Sequence, residues 1–236
     1  MIKEAIILAG GLGTRLRSVV TDMPKCMAPV AGKPFLYYVI THLQKQGVDK
    51  FIFSLGYKHE MVTAWLNQQY PLLYEQTIVE EEPMGTGGAI KLACDLAFNE
   101  NVLVLNGDTL FAGNLKKISE FHLQHHADCT LALKPMTNFS RYGAVTIDQH
   151  QAITAFHEKK HVDQGLINAG VYALNAARFL QEPLPEKFSF EKDYLEINIG
   201  KRKLFGLAQD SYFIDIGIPE DYAKAQEELK DGSHLH

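Results

Sequence analysis

Four stretches of the 236-residue chain carry residue types that could do chemistry on an anion. Residues 10–16, "GGLGTRL", form a glycine turn with Arg15 inside it. Glycines clear the backbone of Cβ atoms, so converging N–H groups can reach a phosphate and the guanidinium adds charge there. The turn is not a Walker A loop, because no Gly-Lys-Ser/Thr follows four spacer residues. Nor is it a dinucleotide fingerprint: counted from Gly11, the third glycine's place is held by Leu16. On its own such a turn would serve equally as plain structure. Ten residues on, "MPKCMAPVAGKP" sets Lys25 between Pro24 and Pro29, whose restricted backbones favour a fixed geometry. Together Arg15 and Lys25 would supply the positive charge that phosphoryl or nucleotidyl transfer needs as charge shifts onto a leaving group.

The acids come next. Asp108 ends "VLVLNGD" and Asp215 lies in "SYFIDIGIPEDY", each after a short apolar run. Two carboxylates delivered from separate strand ends suit a hard cation such as Mg²⁺, which takes one or two carboxylates with phosphate oxygens and waters. Either acid alone would as readily cap a helix or turn. His122, His125 and His126 stand at helical spacing, but no cysteine or acid completes a ligand set, and they read as a solvated helix surface.

These residues need a scaffold that brings strand ends together. Short apolar runs ("AIILAG" 5–10, "KFIFSLG" 50–56, "TIVEEE" 77–82, "NVLVLNGD" 101–108, "CTLALKPM" 129–136) alternate with helical patterns near 34–46, 58–69, 85–98 and 114–126. That alternation predicts an α/β fold, Rossmann-like, with a mostly parallel mixed sheet flanked by helices. Ligands of such sheets bind beyond the carboxyl ends of the strands. From about residue 141 the texture changes to short strands with little helix, which reads as a smaller lid for a second substrate. Residues 1–230 are thus expected to form one domain: a first half (1–140), a smaller part (141–218) and a C-terminal helix (219–230). The tail 231–236, "DGSHLH", reads as a frayed end or expression scar.

Composition narrows the class. Hydrophobic residues make up 46% and charged ones 22%, as in ordinary globular proteins, and the net charge of −5 argues against a nucleic-acid partner. No apolar run approaches the ~20 residues that span a bilayer, and no secretory leader is evident, so the expected location is cytoplasmic. The three scattered cysteines fit reduced structural thiols. A homo-oligomer is left open.

"LAGGLGTRL" followed by "PKCMAPVAGKP" resembles the signature of the sugar-1-phosphate nucleotidyltransferases, the nucleotide-sugar pyrophosphorylases. The resemblance runs over residues 2–229. It implies the nucleotide-diphospho-sugar transferase fold, Mg²⁺ held by Asp108 and Asp215, and Arg15, Lys25 and Asp108 as the catalytic groups. The nucleoside triphosphate would be met by Leu8, Gly10, Gly11, Gly13, Thr14, Glu80, Gly85 and Thr86. Glu80 takes the family's base-reading place in "EEEPMGTGGAI". A carboxylate only accepts hydrogen bonds, which matches the adjacent N1–H and N2–H₂ donors of guanine and leans the choice to GTP. The sugar 1-phosphate would be met by Gly143, Glu158, Lys159, Asn168, Gly170 and Glu191, with Lys159 on its phosphate. "FSFEKDYLE", which carries Glu191, also reads as a helix start. Among branches of the family the segments are most similar to those acting on a heptose 1-phosphate. A mannose 1-phosphate or an amino-sugar 1-phosphate with a uridine nucleotide are the alternatives.

Overall fold

The computed structural model describes residues 1–11, 15, 16 and 19–230, Tyr74 by its backbone alone. The first half runs β1 (Glu4–Ala9), a small hairpin of β2 (Pro29–Val30) and β3 (Lys33–Pro34), α1 (Phe35–Lys45), β4 (Lys50–Leu55), α2 (His59–Gln69), β5 (Tyr74–Val79), α3 (Gly85–Cys94) and β6 (Asn101–Asn106). Then follow β7 (Thr109–Phe111), α4 (Leu115–Gln124), β8 (Cys129–Phe139), β9 (Ala144–Ile147), β10 (Ile153–Phe156), β11 (Val162–Asn175), α5 (Ala176–Leu180), β12 (Leu204–Ala208), β13 (Phe213–Asp215) and α6 (Pro219–Glu228).

The parallel strands stand in the order β6-β1-β4-β5. β1 reads as an unbroken apolar run because both its faces are covered. Ala5 and Ile7 pack into a core with α1, α2 and α4, whereas Ile6 joins a second core under α3, α5 and the helical segment Phe190–Leu195. Helix ends follow local chemistry. Gly47, at φ +87°, stops α1, and the Asn114 side chain caps α4 by accepting from Lys117 N at 2.9 Å.

β11 is the branch point of the sheet. One edge pairs with β8; the other pairs with β9 through Leu166 and Ile167, then with β6 through residues 171–175. Between these stretches the register slips and Gly170 adopts φ +71°. β8 in turn carries β12, and β10 pairs with β9, so the later strands continue the same sheet.

The alternation of elements is as expected, with three differences. The third strand lies at 74–79 rather than 77–82, and β7 and β12 do not stand out as periodic runs, whereas β13 is the short apolar strand expected at Asp215. His122 is a correction: it is buried, with Nδ1 3.1 Å from Thr130 Oγ1 and Nε2 3.0 Å from Asn101 Oδ1, so it is a core histidine rather than part of a solvated face. All three cysteines are free and buried. Among the described residues no helix is long and apolar enough to cross a membrane.

Candidate active site

Strand order places the site. β4 pairs with β1 on one side and β6 on the other, so the carboxyl ends of β1 and β6 adjoin and frame a crevice there. The two-residue step to Asp108 is pinned across that crevice by Gly107 N donating to Leu8 O at 2.8 Å. Asp215 comes from far along the chain, through pairing of β13 with β7 that sets it opposite Thr109. Ile216 N donates to Asp108 O at 3.1 Å, fastening the two aspartates side by side.

Lys25 reaches the same point from a third direction. It opens a 3-10 turn (Lys25–Met27) that begins at Pro24, and α6 braces the following hairpin. Tyr222 Oη and Gln226 Nε2 both donate to Pro29 O at 2.6 Å, and Ala31 N donates to Gln226 Oε1 at 2.8 Å. The Lys25 side chain is only 13% exposed, with its ammonium 2.5 Å from Asp108 Oδ2 and 3.4 Å from Asp215 Oδ1. Gly217 leaves the space: a Cβ there would lie 2.8 Å from Asp215 Oδ1 and 2.9 Å from Lys25 Nζ.

Leu8, Ala9, Gly11, Arg15, Lys25, Cys26, Gly107, Asp108 and Gly217 line one cleft of about 180 Å³. The predicted cluster of Arg15, Lys25 and Asp108 therefore stands together, while Asp215 lines the adjoining cavity and meets the cluster through Lys25. Gly13 and Thr14 lie outside the described residues. Two carboxylates converging on one cationic atom, with no third acid, histidine or cysteine ligand grouped with them among the described residues, match a hard divalent ion that keeps positions for phosphate oxygens and water. Cys26 is no rival nucleophile: burial, and then the Asp108 charge, push its thiol up to about 12.

Glu80 stands beside this cleft, at the end of β5. Its Oε1 accepts from Ser54 Oγ at 3.3 Å and its Oε2 from Met84 N at 3.0 Å. It packs so closely on Gly10 that a Cβ there would lie 2.7 Å from Oε1. Gly85, Gly87 and Gly88 open α3 against the segment 186–188; a Cβ on Gly85 would sit 2.5 Å from Phe188 O. Thr86 turns its hydroxyl into the protein, donating to Glu191 Oε2 at 2.9 Å and accepting from Phe190 N.

The expected sugar-phosphate residues divide into two groups. Asn168, Gly170 and Glu191 meet at the slip in β11. Asn168 Nδ2 donates to Tyr172 Oη at 2.8 Å, Gly170 N donates to Asn168 Oδ1, and Tyr172 Oη donates to Glu191 Oε1 at 3.0 Å. A Cβ on Gly170 would lie 2.8 Å from Asn106 Nδ2, which ties this cluster to the end of β6. Gly143, Glu158 and Lys159 lie apart, at the β9–β10 end. Gly143 abuts His157 O, Glu158 pairs with Lys192 at 3.2 Å, and Lys159 is exposed. Sequence reasoning did not pick out Ser54, Asn106, Tyr172 and Gly217. Asn106, Tyr172 and Gly217 lay inside the motif segments "NGD", "INAGVY" and "DIGIPEDY", whereas Ser54 had no such signal.

The sequence profile described as "Nucleotidyl transferase" matches residues 4–232. The chain belongs to the nucleotidyl transferase family. Among nucleotidyl transferases it is 53% identical over 227 residues to D-glycero-alpha-D-manno-heptose 1-phosphate guanylyltransferase of Aneurinibacillus thermoaerophilus, covering 96% of this chain and 98% of that one. It is 32% identical to mannose-1-phosphate guanylyltransferase of Mycobacterium tuberculosis, covering 97% of this chain but 65% of the longer protein. Among solved structures, HddC from Yersinia pseudotuberculosis superposes with a TM-score of 0.87 at 40% identity, over 97% of this chain and 100% of that one. A second crystal structure of HddC, complexed with GMP-PN, superposes with a TM-score of 0.86.

Proposed function

We propose that this chain joins GTP and D-glycero-α-D-manno-heptose 1-phosphate to give the GDP-sugar and pyrophosphate. The observation that carries the reading is the 53% identity, end to end, with a guanylyltransferase of that sugar. The guanine nucleotide of the HddC complex and the carboxylate at Glu80 support the base. The smaller identity to a mannose 1-phosphate enzyme supports a second reading with the same nucleotide and a hexose.

In the step itself an oxygen of the sugar phosphate attacks the α-phosphorus of GTP. The new P–O bond forms as the bond to the β-phosphate oxygen breaks, and pyrophosphate leaves with its electron pair. No protein nucleophile takes part; positioning and charge stabilisation supply the acceleration. Asp108 and Asp215 would hold Mg²⁺, which when bound neutralises phosphate charge and makes the phosphorus more electrophilic. Arg15 meets the departing pyrophosphate, Lys25 the α-phosphate and Lys159 the attacking phosphate. Asn168, Gly170 and Glu191 frame the sugar beside β6, with Glu158 reaching it from the β9–β10 end. Residues 1–140 thus serve the nucleotide and 141–218 the sugar phosphate.

The test is pyrophosphate release from the purified chain with each of GTP, ATP, CTP and UTP, crossed with heptose, mannose and amino-sugar 1-phosphates. GTP with the heptose phosphate should give the highest kcat/KM. A preference for mannose 1-phosphate would establish the second reading, and no release with any pair would refute both.

A further inference from the structure

We infer that Lys25 is the resident counter-ion of Asp108 and Asp215 when no divalent cation is bound, and that the incoming cation displaces its ammonium onto the nucleotide phosphates. The inference rests on the reaction proposed above. Two cations cannot share the space. Lys25 Nζ lies 2.5 Å from Asp108 Oδ2 and 3.4 Å from Asp215 Oδ1, on the point where both carboxylates converge. A divalent ion held by those oxygens would meet the ammonium's charge at close range and repel it. Gly217 shapes that point for a bulky ammonium, since any Cβ would crowd Nζ. The displaced side chain can turn into the cleft that it lines together with Arg15 and Gly11.

Lys25 then does two jobs in sequence. It first neutralises two neighbouring carboxylates that would otherwise repel each other, and afterwards it delivers its charge to the triphosphate. A cation that frees the lysine strengthens phosphate binding, and a phosphate that draws the lysine away opens the carboxylates. By linkage the two ligands assist each other to the same degree.

Binding of Mn²⁺ alone, read from the EPR signal of the free ion, tests this without turnover. Lys25→Met and Lys25→Gln should each bind Mn²⁺ about 10-fold more tightly than the parent or better, because a competing charge at contact distance is gone. Each should also gain more in Tm on adding Mn²⁺, so that the glutamine variant decides should the methionine one fold poorly. Arg15→Met, which removes a charge from the same cleft but not from the carboxylates, should change affinity by less than about 3-fold. Affinity in the Lys25 variants equal to or below that of the parent overturns the inference while leaving the reaction intact. Equal tightening in Arg15→Met overturns it in favour of a general field of the cleft. Failure of every variant to bind Mn²⁺ sinks the cation site itself, whereas the pyrophosphate assay judges the reaction separately.

Discussion

At the scale of single residues, the base choice proposed for Glu80 depends on how that side chain is held. Ser54 Oγ and Met84 N fix its carboxylate, and Gly10 gives it room, so the remaining lone pairs face outward in one orientation. Glu80→Gln can keep both internal contacts, since an amide donates to Ser54 Oγ and accepts from Met84 N. It cannot accept from two guanine donors at once. Its kcat/KM with GTP should fall by roughly 10–100-fold, the scale of one charge-assisted hydrogen bond, while UTP gains relative to GTP. Competition assays between the two nucleotides measure that ratio. Gly217→Ala addresses the other end of the cleft. A methyl group 2.9 Å from Lys25 Nζ and 2.8 Å from Asp215 Oδ1 must push one of them aside. The variant should fold, with a circular dichroism spectrum like that of the parent, and lose ~10²-fold or more in kcat, as when a charge-stabilising group is misplaced.

At the scale of elements, Glu191 joins segments assigned to different substrates. Thr86 at the start of α3 holds one of its oxygens, and Tyr172 on β11 holds the other. Burial, reinforced by the adjacent Glu191 charge, raises the Tyr172 phenol well above its usual range, so it stays a donor at any working pH. Tyr172→Phe strips a partner from both Glu191 and Asn168 and should cost about 1–3 kcal/mol of stability. A urea midpoint that drops with an unchanged m-value checks it. Little of this linkage was legible in the sequence. "FSFEKDYLE" signals a helix start, and Ser189 does cap that segment through Lys192 N, but nothing local says which face Glu191 presents. The third strand was displaced because "YEQTIV" is an edge strand, polar at its start, whereas the eye follows the acids beyond it. The slip in β11 depends on which strands share an edge, which no periodicity encodes. By contrast, β1 and β6 were plain, because strands buried on both faces must be apolar throughout.

At the scale of the whole molecule, the sheet gathers Lys25, Asp108 and Asp215 from positions 83 and 190 residues apart, so the motifs named the parts while only the topology placed them together. The same compactness sets an acid limit. Burial lowers both His42 and His122 to about 4, and His42 Nε2 has no partner among the described residues to accept a second proton's bond. The unfolded chain takes up these protons near pH 6.5, before the folded one does, so their stabilising contribution is full above that value. It shrinks as the pH falls toward 4, by up to about 3 kcal/mol for each histidine. Urea midpoints measured across that range should decline, and His122→Gln should flatten the decline.

The bracing of Pro29 by Tyr222 and Gln226 has a bearing on biosynthesis. A ribosome finishes Lys25 and the hairpin well before their brace in α6, and Asp215 follows Lys25 by 190 residues. A nascent chain that has not yet reached Asp215 and α6 therefore lacks both the second carboxylate beside Lys25 and the brace on the hairpin that follows it, so the cleft is incomplete until both have emerged.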